Sequence, residues 1–346
     1  MSISATQFAI LGVAAFALTG LLTWPVRTLA IRLGAMDAPN MARKTQTEPV
    51  PYLGGVAIAL GILITTFLAL FFSNDNSLII ERGLTAIIPA LLLGIVGLVD
   101  DLRSLPAWPR LIIQTMVGTV IALVLVATGT LGIAFNNDFV NVFVTIVWIV
   151  GICNSINFFD NIDGAASGTV AIAALGVFII AFDRGQELLS SLTIVTVGAT
   201  LGFIIWNKSP AKIYMGDAGA LFLGVIISVA TIRVNPGITP SWMSLAIPIV
   251  LLAVPLLDTC VAVFSRISRG VSPLTGGKDH LSHRLVRAGL SRPIAVIALW
   301  VASGVCMAIA MGIYKYPEIF GAPLIVAFAF AWLSALVLFL RTPSHD

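Results

Sequence analysis

The chain alternates between long apolar runs and short polar segments. An apolar helix of about 20 residues spans the hydrocarbon core of a bilayer and pairs its own backbone polar groups. The pattern therefore predicts an all-α fold, a polytopic transmembrane helical bundle. We place about 11 spans, at residues 6–24, 53–72, 84–99, 111–128, 140–156, 168–182, 188–206, 218–233, 242–264, 293–314 and 322–340.

The composition agrees with this prediction. Of the 346 residues, 58% are hydrophobic and 10% are charged, whereas about a quarter of the residues in a soluble domain are charged. No polar stretch is long enough for a separate soluble domain, so we expect residues 1–346 to form one integral membrane domain. The net charge of +3 gives no reason to expect a nucleic-acid partner.

The basic residues are distributed unevenly between the loops. Cytoplasmic loops of membrane proteins are enriched in Lys and Arg. One set of loops holds 15 of the 19 basic residues, and the other set holds only Arg82, Arg184, Arg233 and Lys315. This predicts a cytoplasmic carboxyl terminus and, because the span count is odd, an amino terminus outside.

Polar side chains cluster in five of the predicted cytoplasmic segments. The segments are DAPNMARKTQTEPVPYLGG from residue 37, GLVDDL from 97, NSINFFDNIDG from 154, KIYMGDAGALFLG from 212 and GGKDHLSHRL from 276. The loops on the other side, such as DRGQE, leave little room for a site. The convergence of acids, bases and amides on one face predicts a functional site at the cytoplasmic membrane surface.

Each segment also has a structural interpretation. Asp100-Asp101 could cap a span, Asp217 could cap the following helix, and Asp163-Gly164 could form a tight turn. His280 and His283 could be solvated loop residues. These interpretations leave the joint pattern unexplained, because carboxylates at the ends of different spans repel each other unless a cation joins them.

The donor atoms indicate which cation to expect. Carboxylate oxygens favour Mg²⁺, with Mn²⁺ as an alternative, over zinc. Mg²⁺ commonly takes one or two carboxylates and completes its shell with water and substrate phosphates. Lys44, the region of Arg284 and the histidines could contact those phosphates. The three cysteines fall within predicted spans and match no metal motif. We therefore expect a diphosphate substrate at the lipid boundary.

The five segments, in this order, resemble those of the polyprenyl-phosphate N-acetylhexosamine-1-phosphate transferases (glycosyltransferase family 4) from about residue 37 to 292. The resemblance implies a Mg²⁺-dependent enzyme of the bacterial plasma membrane with its active site on the cytoplasmic face. It would pass a sugar 1-phosphate from a UDP-sugar to undecaprenyl or decaprenyl phosphate and release UMP. This is the first membrane step of cell-envelope glycan synthesis. The enzyme could act as a homodimer.

The resemblance also implies roles for individual residues. Asp217 matches the magnesium ligand, and Asp100, Asp101 and Asp160 match catalytic positions. Substrate-binding roles are implied for Lys44, Asn154, Asn157, Asp163, Tyr214, His280, His283 and Arg284. A lipid phosphate has a second pKa of about 6 and is already largely a dianion at pH 7, so a general base should add little. Direct transfer and a covalent intermediate both remain open.

The branch and the alternatives follow from smaller features. The segments DHLSHRL and PVPYLGG favour the N-acetylglucosamine branch and a UDP-GlcNAc donor over the alternative, a phospho-N-acetylmuramoyl-pentapeptide transferase. A different class is an ion-coupled secondary transporter. Asp258 lies within a predicted span, and Pro255 could break that helix as transporter helices are broken at binding sites.

Overall fold

The structure, a computed structural model, describes residues 4–37, 48–71 and 77–342. The helices in these residues are α1 (Ala5–Arg32), α2 (Gly54–Phe71), α3 (Ser77–Arg103), α4 (Ala107–Ala127), α5 (Asp138–Phe159), α6 (Ala165–Asp183), α7 (Glu187–Asn207), α8 (Gly216–Arg233), α9 (Ser241–Leu251), α10 (Ala253–Ser268), α11 (Leu281–Arg287), α12 (Arg292–Lys315) and α13 (Ala322–Arg341). One turn of π-helix, Pro317–Gly321, precedes α13. Two short strands, β1 (Met36–Asp37) and β2 (Val50–Pro51), pair antiparallel.

The all-α polytopic prediction is confirmed. Nine helices of the described chain are long and apolar enough to cross a membrane, and the bent pair α9–α10 adds a tenth. The apolar part of α2 that the structure describes, Gly54–Ala69, is shorter than these. The count of 11 spans and the sides on which the termini lie stay predictions.

Several helices extend beyond their predicted spans on the side that carries the polar segments, and α3 and α5 are the two that matter for the site. α3 continues past residue 99 to Arg103, and α5 continues past residue 156 to Phe159. The apolar run marks the edge of the hydrocarbon, whereas the helix ends where its hydrogen bonds end. The first aspartate pair and the amides of the NSINFF segment therefore lie in terminal helical turns rather than in loops.

The predicted ninth span is broken. α9 and α10 meet at Leu252 with a bend of 71°. Pro255 has no backbone N–H to pair with the carbonyl four residues earlier, and its ring crowds that carbonyl, so a break at this point is expected. The helix break that the sequence suggested is present. The contacts of Asp258 on α10, described below, show which part of the protein this helix holds.

α8 lies at the centre of the bundle, with 78% of its residues buried. Glycines let neighbouring helices approach its first turn. A Cβ added to Gly97 on α3 would lie 2.3 Å from the carbonyl oxygen of Asp217, and one added to Gly55 on α2 would lie 2.1 Å from the backbone nitrogen of Gly219. Small residues of this kind allow close backbone contact between membrane helices. The start of α8 is therefore held directly against α2 and α3.

Candidate active site

Asp217 lies in the first turn of α8, and its side chain is directed at two other helices. Its Oδ1 accepts a hydrogen bond from Nδ2 of Asn157 on α5 at 2.8 Å. Its Oδ2 accepts from Nη1 of Arg110 on α4, also at 2.8 Å. The carboxylate therefore does not cap its own helix. It joins the ends of α4, α5 and α8.

The cap of α8 comes from Asp101 on α3. Its Oδ1 accepts from the backbone N–H of Asp217 at 2.9 Å, and its Oδ2 accepts from that of Ala218 at 3.1 Å. The first N–H groups of a helix lack partners within the helix, and an aspartate oxygen commonly satisfies them. The capping interpretation is correct for Asp101, although the helix that it caps lies 116 residues further along the chain. Asp101 thereby positions Asp217.

A protein side chain supplies one cation among these acids. Arg110 donates from Nη1 to Asp100 as well as to Asp217. Asp100 is buried and also accepts from the backbone N–H of Leu105 at 2.5 Å. The sequence predicted that a cation joins the acids, but it assigned Arg110 only to the general excess of basic residues on the inner loops. The feature of the sequence that could have identified Arg110 is its position near the start of the helix that follows the aspartate pair.

Asp160 ends α5 and lies partly buried beside the cluster. Burial raises the pKa of its carboxyl well above the usual value, and the negative charges of Asp217, Asp101 and Asp163 raise it further. Within the described residues its carboxylate makes no hydrogen bond or ion pair. The oxygens of the Asp160 carboxyl group are thus not used by any partner among those residues.

The turn after Asp160 is fixed by a residue that the sequence did not single out. Asn207 at the end of α7 accepts from the backbone N–H of Gly164 at 2.9 Å and donates to the carbonyl of Ile213 at 3.0 Å. Asp163 accepts from the backbone N–H of Ala211 at 3.0 Å. These bonds join the NIDG turn to the segment between α7 and α8. An amide that links two polar segments leaves no short-range pattern in the sequence.

Of two predicted substrate-binding residues, Tyr214 lies next to the acidic cluster, whereas Asn154 is used in helix packing. Tyr214 lies in the segment before α8, where burial and then the charge of Asp163 raise the pKa of its phenol, so the hydroxyl stays protonated. Asn154 lies inside the bundle and donates to Oε1 of the buried Gln114 at 2.6 Å. Asn154 therefore supports the packing of α4 against α5, whereas Asn157, one turn later, reaches Asp217. Lys44 lies outside the described residues.

The inner loop before α11 is held by a buried ionic network. Arg266 on α10 donates from Nε and Nη2 to the two carboxylate oxygens of Asp279, at 2.9 and 2.8 Å. Nη2 also lies 3.1 Å from Nε2 of His280, whose Nδ1 lies 2.7 Å from Asp258. Both ring nitrogens of His280 are therefore engaged within the protein. The intramembrane acid that suggested a transporter is a partner of this loop.

The remaining two loop residues differ in their availability. Arg284 is 1% exposed and donates to the carbonyls of Asp279, Phe339 and Thr342, so it ties α11 to the end of α13. His283 is partly buried, and its ring makes no hydrogen bond within the described residues. Burial lowers the pKa of His283 to about 4, and the neighbouring His280 and Arg287 act in the same direction. Of the three predicted loop ligands, His283 is the one with unused polar atoms.

Comparison with known proteins places this geometry in context. A sequence model of "Glycosyl transferase family 4" matches residues 83–235. The Bacillus subtilis (strain 168) protein named "Probable undecaprenyl-phosphate N-acetylglucosaminyl 1-phosphate transferase" is 34% identical over 82% of this chain and 79% of its own length. The Mycobacterium tuberculosis (strain CDC 1551 / Oshkosh) "Decaprenyl-phosphate N-acetylglucosaminephosphotransferase" is 31% identical over 97% of this chain and 90% of its own. A Streptococcus thermophilus (strain CNRZ 1066) "Phospho-N-acetylmuramoyl-pentapeptide-transferase" is 30% identical over 66% and 73%.

Proposed function

Because this chain belongs to glycosyl transferase family 4, we propose that it transfers N-acetylglucosamine 1-phosphate from UDP-N-acetylglucosamine to a polyprenyl phosphate and releases UMP. The relatives named for N-acetylglucosaminyl transfer cover more of the chain than the pentapeptide transferase does. The described residues of the five polar segments lie at one end of the bundle, where hydrogen bonds connect them. The excess of basic residues favours the cytoplasmic face for that end.

The observation that carries the proposal is the cluster around Asp217. Four helices, α3, α4, α5 and α8, bring Asp100, Asp101, Arg110, Asn157 and Asp217 into one connected set of hydrogen bonds. Burying charged side chains at a membrane surface costs free energy, so such a cluster is typical of a functional site. A cluster of acids with one basic and one amide partner suits a substrate that arrives as an anion together with a metal ion.

The residues present fit Mg²⁺. Its ligands would be the carboxylates of Asp217 and Asp160, since Asp217 is 31% exposed and the Asp160 carboxyl group makes no hydrogen bond or ion pair with the described residues. No group of three His, Cys, Asp or Glu side chains that could hold a metal occurs in the part of the chain that the structure describes. Mg²⁺ does not need such a group, because water and phosphate oxygens complete its shell. When bound, it would neutralise charge on the diphosphate.

In the proposed reaction an oxygen of the lipid phosphate attacks the β-phosphorus of the UDP-sugar. The bond from that phosphorus to the bridging oxygen breaks, and UMP leaves with the bond's electron pair. The attacking phosphate is already largely a dianion at pH 7, so no residue has to remove a proton first. The work of the protein is then to position two anions and to offset their charge.

The protein side chains divide this work. Asn157 and Arg110 orient the Asp217 carboxylate, and Asp101 holds the start of α8 in place. His283 is neutral at pH 7 because the pKa is about 4, and a neutral imidazole can donate one N–H to a phosphate oxygen. Asp258 orients the loop that carries His283 through His280. This role accounts for Asp258 without a transport function.

UMP release by the purified protein tests the proposal. The full chain in detergent micelles with undecaprenyl phosphate is expected to release UMP from UDP-N-acetylglucosamine and to form a lipid-linked sugar diphosphate. UDP-N-acetylmuramoyl-pentapeptide is the comparison donor, and turnover of that donor alone would assign the chain to the pentapeptide branch. Failure to release UMP from either donor, in a sample that unfolds cooperatively, would contradict the transferase proposal.

A further inference from the structure

Arg110 contacts two acids through one nitrogen atom. Nη1 is the donor both to Oδ2 of Asp100 on α3 and to Oδ2 of Asp217 on α8. A terminal guanidinium nitrogen carries two hydrogens, so it can donate one to each carboxylate. The positively charged guanidinium of Arg110 therefore contacts the carboxylate that would ligate the metal, and offsets its negative charge.

The position of Arg110 in its own helix is unfavourable. It lies in the first turn of α4, which begins at Ala107. The positive end of the helix dipole is at the amino terminus, so a cation there is disfavoured. Local helix structure thus gives no reason for an arginine at this position. The acids contributed by the two neighbouring helices do.

The two ion pairs of Arg110 differ in their access to solvent. Asp100 is 8% exposed, while Asp217 is 31% exposed and Arg110 itself is 25% exposed. Asp100 also accepts from the backbone of Leu105 and is held more firmly. An ion that arrives from solvent can therefore reach Asp217 and separate it from Arg110 while the pair with Asp100 stays intact.

We infer that Arg110 is an internal counter-cation for Asp217, and that a divalent cation must displace Arg110 from this carboxylate when it binds. This inference rests on the proposed function, in which Asp217 ligates the metal. Arg110 holds the carboxylate in place when no metal is bound, and in doing so it lowers the affinity for the metal. It is a positioning residue that competes with the ion.

Binding of Mn²⁺ to the full-length protein without substrates tests this competition. Electron paramagnetic resonance of free Mn²⁺ gives the dissociation constant independently of activity. Arg110→Gln removes the charge and keeps an amide donor, and it is expected to bind Mn²⁺ about tenfold more tightly, the scale of one charge-assisted hydrogen bond. Arg103→Gln is the matched control, because Arg103 is an exposed base at the end of α3, close in sequence to the same acids.

The outcomes separate the inference from its alternatives. Tighter binding in Arg110→Gln and a change within about twofold in Arg103→Gln, as for a weakly coupled surface charge, would support the inference. Equal tightening in both variants would show a general charge effect and overturn it, as would weaker or unchanged binding in Arg110→Gln. If the wild type releases UMP but binds no Mn²⁺, the proposed metal is wrong while the transferase activity stands, and the inference falls with the metal.

A second measurement uses the wild-type protein and does not depend on folding of a variant. Phenylglyoxal modifies arginines, and mass spectrometry reports the rate at each position. Saturating Mg²⁺ is expected to raise the rate at Arg110 severalfold, because it loses one of its two carboxylates, and to leave the rate at Arg103 unchanged. An unchanged rate at Arg110 in a protein that binds Mn²⁺ would overturn the inference.

Discussion

The carboxylate of Asp258, fully buried on α10, lies 2.7 Å from Nδ1 of His280 at the start of α11. Its other oxygen accepts the backbone N–H of Leu281, also at 2.7 Å. One acid thus fixes both the side chain and the backbone at the point where the inner loop becomes helical. The loop histidines owe their position to a residue inside the bundle.

Removal of this carboxylate should destabilise the protein. Asp258→Ala leaves the Leu281 N–H and the His280 ring without their acceptor, and an unsatisfied buried group costs about 1–3 kcal/mol. We expect a lower unfolding temperature in detergent. Asp258→Asn keeps one carbonyl acceptor and should have a smaller effect. An unfolding temperature for Asp258→Ala equal to that of the wild type would show that this contact does not hold the loop.

The stability of the protein should depend on His283 at acidic pH. The pKa of His283 is about 4 in the folded protein and 6.5 in the unfolded chain. Between these values the unfolded chain binds a proton that the folded protein does not, so the free energy of unfolding decreases as the pH falls from 6.5 toward 4. His283→Gln should show a smaller decrease. Unfolding temperatures of both proteins across this window measure the difference, and parallel curves would contradict it.

Loss of the Asp217 charge should abolish catalysis without unfolding the protein. Asp217→Asn keeps the size of the side chain and removes a ligand for a cation, so UMP release should fall by orders of magnitude and require more Mg²⁺. Asp138→Asn is the matched control, since Asp138 lies in the first turn of α5, at the end opposite Asn157. Normal turnover of Asp217→Asn at low Mg²⁺ would place the metal among the other acids.

The close approach of α3 to α8 gives a steric test of the same site. A Cβ at position 97 would lie 2.3 Å from the carbonyl oxygen of Asp217, whereas one at position 94 would meet its nearest neighbour at 3.4 Å. Gly97→Ala should therefore push α3 away from α8, weaken the cap by Asp101, and lower activity by about tenfold or more. Gly94→Ala should behave nearly as the wild type. Equal effects of the two variants would exclude the steric explanation.

The predicted orientation can be tested by labelling single cysteines with an impermeant thiol reagent in intact cells. Glu318→Cys should react from outside, and Ala288→Cys should not. Both positions are exposed, whereas Arg284 is too buried for a cysteine there to report its side. The background would lack Cys153, Cys260 and Cys306, which are free thiols. Strong labelling at 288 and none at 318 would reverse the orientation and place the site outside.

The sequence predicted the transmembrane fold and the segments that meet, because apolar run length and charge placement are read directly along the chain. Asp217 and Asn157 were both named, and the structure joins them at 2.8 Å. The pairing of individual side chains could not be predicted in the same way. Arg110 looked like one more basic residue of a cytoplasmic loop, and only the packing of α3, α4 and α8 makes it a bridge.

The loop residues illustrate the same difference. The spacing of His280 and His283 suggested equivalent roles, yet one ring is fully engaged with Asp258 and Arg266 and the other is not. The difference depends on how the loop packs against α10, and the spacing of the two histidines does not show that packing. Pro255 indicated the helix break at Leu252, but the sequence did not show that Asp258, just after the break, contacts His280 and Leu281.

The cap that Asp101 places on α8 also sets an order of events during synthesis. Residues 217 and 218 follow Asp101 by 116 and 117 positions, which at about 5–20 residues per second corresponds to roughly ten seconds of translation. For that time the acid has no helix to cap, and the end of α3 must remain hydrated at the membrane surface. A nascent chain that stops after α7 would carry the paired acids of α3 at the membrane surface without the helix that they hold, so the cluster around Asp217 cannot form until α8 has been made.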